Sequence, residues 1–191
     1  INSARVNLVV NPVNDPPILS NIETFALEFD VDEERAIVTR TIRVSDVDNV
    51  NLVRATISIS SGYVRGEDSL QYVGNSLRLE SVFNDTTGIL TINGLASLNE
   101  YEQALRSIEF INHMTQRGTQ QSKTISFIVY DGEDWSNTVE RRVRMVDNFI
   151  PLDIPTGFTP NGDFENDTWN ILNIEWYPDC EIEVFSQNGN R

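Results

Sequence analysis

The feature that most restricts this chain is a strict two-residue alternation of apolar and polar side chains. Val53, Ala55, Ile57 and Ile59 interleave with Arg54, Thr56, Ser58 and Ser60, and Leu27, Phe29 and Val31 interleave with Glu28 and Asp30. In an extended backbone successive side chains leave on opposite sides, so this pattern gives each strand one apolar and one wet face. Further strands are expected at Leu70 to Val73, Gly88 to Ile92, Ser107 to Asn112, Lys123 to Tyr130 and Val139 to Val146, and only Leu98 to Leu105 has the spacing of a helical turn. About seven strands separated by turn residues, with no helix long enough to cover a parallel sheet, predict an all-β fold built as an antiparallel β-sandwich.

Proline marks the joints. In Asn11-Pro-Val-Asn-Asp-Pro-Pro17 the proline rings remove backbone donors and hold an extended path, which makes a stiff linker. Arg5-Val6, an apolar strand and Asn11 recur as Arg142-Val143, a strand and Asn148. Residues 1–15 therefore read as the last strand of a preceding repeat plus its linker, and 16–149 as the sandwich module. Asp147 to Pro155 forms a second junction. Beyond it, 150–191 carries Trp169, Ile171, Leu172 and Ile174, then Cys180, Ile182 and Val184 alternating with Glu181 and Glu183. That segment reads as a partial second β-sandwich, too short to bury a core by itself. The chain is expected to be a piece of a longer protein, so the lack of a leader sequence carries no information about compartment.

Twenty-nine acidic against 14 basic residues give a net charge of −15. Such a surface repels nucleic acid and anionic lipid, which argues against nucleic-acid partners and leaves carboxylates available to cations. The single Cys180 cannot form an intrachain disulfide, and its alternation with Ile182 and Val184 predicts a small buried residue. Catalysis is not expected in this segment. His113 is the one histidine, Cys180 is remote from it in sequence, and Gly157 and Gly162 sit among Pro and Asn as turn residues rather than in a phosphate cradle.

Carboxylates fall at predicted loop positions: Asp15 in the linker, Asp30, Asp32, Glu33 and Glu34 after the first strand, Asp46 and Asp48 after the next, and Asp131, Glu133 and Asp134 near the end. Calcium takes six to eight hard oxygen ligands from loops of this kind. Asn14-Asp15-Pro16-Pro17 in a linker, Ser45-Asp46-Val47-Asp48 after a strand and Val129-Tyr130-Asp131-Gly132 before the last strand resemble the cadherin-like repeats of bacterial surface proteins. The resemblance implies an Ig/cadherin-like sandwich whose Asn14, Asp15, Asp46, Asp48 and Asp131 meet at one junction and bind calcium, stiffening a rod. Pro12 and Pro16 stand where cadherin linkers carry further ligands, so at most a single ion of modest affinity is expected. Glu33, Glu34, Glu102, Asp147 and Asn148 form a similar set for the opposite junction.

The tail has its own signature in Phe158, Pro160, Asn161, Gly162, Asp163, Asn166, Asp167, Trp169, Pro178 and Cys180. The residues alone predict a polar hairpin turning at Asn161-Gly162. At these spacings they also resemble the start of the type B C-terminal sorting domain of type IX secretion substrates, the gliding-motility-associated C-terminal domain. Ser186-Gln187-Asn188-Gly189 departs from that family's usual motif, and the family's later strands would lie beyond Arg191. The resemblance implies an extracellular, outer-membrane-associated protein on the cell surface. Its partners would be the type IX secretion machinery and a SprF/PorP-like outer-membrane β-barrel. The expected function is the membrane-proximal stalk and anchoring segment of a large adhesin, for adhesion or gliding motility, with an unknown surface ligand. Two alternatives are a carbohydrate-binding module using Trp135, Tyr63 or Tyr72, and the non-catalytic tail of a secreted surface hydrolase.

Overall fold

The computed structural model describes residues 13–113, 122–147, 150–165 and 167–183. The expected strand at Ser3 to Val10, and Asn148, Asn166 and Val184, lie outside the described residues. The chain divides into two compact units, Ile1–Asp147 and Asn148–Arg191.

Among the described residues of the first unit there are eleven strands and one helix. In chain order they are β1 (Ile18–Ser20), β2 (Leu27–Asp30), β3 (Arg35–Ile37), β4 (Arg43–Ser45), β5 (Asn51–Ser61), β6 (Asp68–Tyr72), β7 (Glu80–Asn84), β8 (Ile89–Ser97), α1 (Leu98–Leu105), β9 (Ile108–Asn112), β10 (Ser122–Tyr130) and β11 (Val139–Val146). A six-stranded sheet of order β2-β11-β10-β5-β8-β7 and a three-stranded sheet of order β3-β9-β6 supply the layers, and β1 pairs with β4 beside them. Phe29 of the larger sheet meets Phe110 of the smaller edge-on, with ring centroids 5.0 Å apart. Ile57, Ile92, Ile125, Phe127, Val129 and Val143 fill the core, each stabilising the fold by about 1.5–3 kcal/mol through apolar burial. The all-β sandwich read from the alternation is the fold that forms.

The details correct the reading in three places. Strands β1, β3 and β4 have three residues each, too short to show a period, and β7 is mostly exposed; these are the elements missing from the expected seven. Pairing is not wholly antiparallel, because β2 lies parallel to β11 with Leu27 opposite Val143 and Asp30 opposite Val146. These are an early and the last strand of the unit, and the elements between them supply the long crossover that a parallel pair needs. In β5 the register against β8 shifts between Leu52 and Arg54, so Leu52 and Ala55 are both buried and Val53 is only half-buried. A bulge resets the parity that a simple alternation assumes.

The helix α1 starts at a capping box, with the Glu100 amide donating to Ser97 Oγ at 3.3 Å and the Ser97 amide donating to Glu100 Oε2 at 3.1 Å. Its inward Tyr101 is fully buried and donates its hydroxyl to Gly94 O at 2.6 Å. Gly94 has φ +143°, and a Cβ there would lie 1.9 Å from Arg78 O, so the position requires glycine.

In the second unit Asp153 and Leu172 form one antiparallel bridge, and Ile174–Trp176 forms a 3₁₀ turn. Asn173 Nδ2 donates to Pro151 O at 2.9 Å and Trp169 Nε1 to Pro155 O at 2.8 Å. Its described residues hold no longer strand. Cys180 is accordingly exposed rather than buried, because the alternation from Cys180 to Ile182 meets no sheet among the described residues.

Candidate functional site

The linker residue Asn14 sits at the hub of the acidic loops. Its Nδ2 donates to Asp131 Oδ2 at 2.9 Å and to Asp134 Oδ2 at 3.0 Å, while its Oδ1 accepts from Asn49 Nδ2 at 2.7 Å. Asp15 donates its backbone amide to Asp48 Oδ2 at 3.1 Å. The loop after β4 is curled by Asp46 Oδ1, which accepts from the amides of Asp48 at 3.1 Å and Asn49 at 2.9 Å. The loop after β10 is curled in the same way by Asp131 Oδ1, which accepts from the amides of Glu133 and Asp134 at 2.7 Å each. These are Asx turns, in which a short carboxylate satisfies the amides two and three residues on. All five residues of the expected site, Asn14, Asp15, Asp46, Asp48 and Asp131, therefore belong to one hydrogen-bonded junction. Asn49 and Asp134 join it; Asn49 directly follows the Asp-x-Asp pair, and that adjacency is the signal that could have found it.

The electrostatics favour anionic oxygens here. Burial by itself would raise the Asp131 carboxyl, but the Asn14 side-chain amide and the backbone amides of Asp134 and Glu133 more than offset it, holding the group below its ordinary value of 3.8. Asp46 Oδ2 is buried without a hydrogen-bond donor. A shallow recess of about 200 Å³ opens between Val13, Asn14, Asp48, Asn49 and Glu133. As the side chains stand, no three His, Cys, Asp or Glu among the described residues converge as a metal cluster; Asn14 Nδ2 stands between the carboxylates of Asp131 and Asp134. In the second expected set, Glu102 is already neutralised: Oε1 lies 2.8 Å from Arg106 and 3.8 Å from Arg43, and Oε2 accepts from the Val44 amide at 3.1 Å.

The aromatic alternatives separate. Tyr63 and Tyr72 pack against the core, whereas Trp135 stacks on Tyr130 with centroids 4.7 Å apart. His113 is exposed, and its backbone amide donates to Glu67 O at 2.8 Å.

The tail motif is organised by one carboxylate. Asp167 Oδ1 accepts from the amides of Asn161 at 2.9 Å and Gly162 at 2.8 Å, and Oδ2 accepts from the Phe164 amide at 2.8 Å. Asp163 Oδ1 accepts from the Glu165 amide at 2.8 Å, and Asn161 Nδ2 donates to Asp163 Oδ2 at 2.8 Å. The Gly162 and Phe164 amides lead in holding the Asp167 carboxyl below its ordinary range, as the Glu165 amide does for Asp163. The expected hairpin at Asn161-Gly162 is thus a closed loop instead. Among the described residues only the Asp153–Leu172 bridge flanks it, since its amides are taken by carboxylates rather than by a ladder, and Phe164 has φ +68°. Phe158, Phe164 and Trp176 are exposed apolar side chains around this unit.

Residues 152–191 match the CHU_C type IX secretion signal domain. This signal implies export to the cell surface or beyond, and an interaction with the type IX secretion machinery. The chain is also 26% identical over 100 residues to Halomucin of Haloquadratum walsbyi, a stretch that covers 50% of this chain and 1% of that protein. No solved structure matches the chain.

Proposed function

We propose that this chain is the membrane-proximal stalk and the secretion and anchoring segment of a large cell-surface adhesin, serving surface attachment or gliding motility. The observation that carries this reading is the type IX signal at residues 152–191 directly following an all-β module that has a proline-stiffened linker on its other side. The first unit is a cadherin-like repeat in this reading, and its Asn14 junction binds one calcium ion. Turning the Asn14 and Asn49 amides would present oxygen instead of nitrogen beside Asp48 in the recess, next to Asp131 and to Asp46, whose Oδ2 lacks a donor, in the same hydrogen-bonded network. A hard divalent cation suits such a set of oxygens, and fixing the linker residue Asn14 to the loops after β4 and β10 would stiffen the joint.

At the cell surface the second unit docks on a SprF/PorP-like outer-membrane β-barrel through apolar side chains such as Phe164 and Trp176. Antibody raised against residues 16–147 should label intact cells, and cells lacking the protein should attach or glide poorly. Unchanged attachment and gliding in such cells would refute the adhesin reading, while the surface label independently reports export.

A further inference from the structure

The core of the sandwich contains a lysine. Lys123 follows the inward parity of Ile125, Phe127 and Val129 on β10, and its side chain and that of Asp68 are both 0% exposed. Lys123 Nζ lies 2.6 Å from Asp68 Oδ2 and donates to Gly62 O at 2.9 Å. Asp68 Oδ2 also accepts from the Val64 amide at 2.7 Å, and Oδ1 accepts from Asn112 Nδ2 at 2.7 Å. Asp68 on β6 stands directly opposite Asn112 on β9, so both side chains leave the same face of the three-stranded sheet toward Lys123 of the larger sheet. Asn112 is 2% exposed, and its Oδ1 is buried without a donor.

A buried ion pair adds little net stability, since desolvation consumes most of the attraction. What this arrangement does supply is an amine and a carboxamide held dry on the two oxygens of one carboxyl group. We propose that Lys123 and Asn112 join in an intramolecular isopeptide bond, with Asp68 relaying the protons. A proton passes from Lys123 to Asp68 along their contact, leaving a neutral amine and a carboxylic acid. A half-turn of the Asn112 amide then places Oδ1, which lacks a donor, against the Asp68 hydroxyl, which polarises the carbonyl. The Nζ lone pair attacks Cγ, the new C–N bond forms and the carbonyl pair moves onto Oδ1. With Cγ tetrahedral, Nδ2 swings back toward Asp68, which takes a proton from the attacking nitrogen and gives one to Nδ2; the pair on Oδ1 returns to re-form the carbonyl, the Cγ–Nδ2 bond breaks and ammonia leaves.

Amine and carboxamide become a secondary amide and ammonia. The remaining proton stays on Asp68 or leaves as ammonium, and no oxidant is needed. Asn112 is the acyl donor because Asp68 presents an oxygen rather than its carboxyl carbon to Nζ, is held that way by three partners, and is the acid that polarises the Asn112 carbonyl. The bond would tie β9 to β10 and hence the two sheets together, in a chain whose single cysteine is exposed.

Intact-mass spectrometry of the denatured 191-residue chain, followed by peptide mapping, tests this. The expected result is a mass lower by one ammonia and a branched peptide joining Asn112 to Lys123, with Asp68→Ala restored to the sequence mass. A wild-type chain at the full sequence mass would overturn the proposal, as would an ammonia loss mapping to a succinimide at an Asn–Gly pair such as Asn161-Gly162. Loss of water with Lys123 joined to Asp68 would overturn Asn112 as the acyl donor. A bond persisting in Asp68→Ala would overturn the relay. If that variant does not fold, Asp68→Asn gives the same readout with the side-chain shape kept.

Discussion

Calcium added to the chain after EGTA treatment should raise the melting temperature of the first unit. The ion would replace the amide hydrogens of Asn14 that now bridge Asp131 and Asp134, and would supply the missing partner of Asp46 Oδ2. Extracellular calcium modules bind with dissociation constants of about 10⁻⁴–10⁻³ M. A site filled at 100 times its dissociation constant stabilises by ~2.7 kcal/mol, and one filled at ten times by ~1.4 kcal/mol. For a unit of this size each kcal/mol moves the midpoint by roughly 3–5 °C, so saturation should give a rise of about 8–13 °C. Differential scanning calorimetry at constant ionic strength reads this directly. Magnesium is the control for charge screening on a chain of net charge −15, because it demands a tighter octahedral shell. Asp131→Asn should lose most of the calcium-dependent shift. An equal midpoint in EGTA and calcium, or an equal rise with magnesium, would refute the ion-binding account of this junction.

Two further predictions concern the fold. Tyr101→Phe removes the hydroxyl from Gly94 O in the core, which should cost about 1–3 kcal/mol in urea denaturation because the carbonyl is left without its donor; no loss would mean the bond contributes nothing. Burial pushes the Glu23 carboxyl up, but the Arg40 amide, the Thr39 hydroxyl and Arg141 outweigh it, so its folded value lies below the ordinary 4.5. Its stabilising contribution is therefore present above pH 4.5 and lost as pH falls through the folded value, and Glu23→Gln should flatten the acid limb of the stability profile. An identical acid limb in the variant would contradict that assignment.

The sandwich was legible because one-sided burial imposes a period of two, and long strands such as β5 and β10 display it over many residues. The short strands were not, since three residues cannot establish a period, and neither was the parallel β2–β11 pair, which depends on where distant strands meet. The acidic junction could be read because Asn14, the Asp46-x-Asp48 pair and Asp131 lie at loop positions. Asn14's amide as the hub could not, because which atoms converge is settled by three-dimensional packing. Lys123 carried a visible signal at an inward-facing position, but Asp68 and Asn112 become its neighbours only through the β6–β9 register. In the tail the Asn-Gly pair suggested a hairpin, and the competing demand of Asp167 for backbone amides closed a loop there instead.

The most direct test of the central claim is protease shaving of intact cells that express the native protein with or without residues 150–191, probed for residues 16–147. The account predicts that the intact protein is cleaved from outside, while the truncated one is protected within the envelope. Equal cleavage of the two would contradict the assignment of the C-terminal segment as the export and anchoring signal.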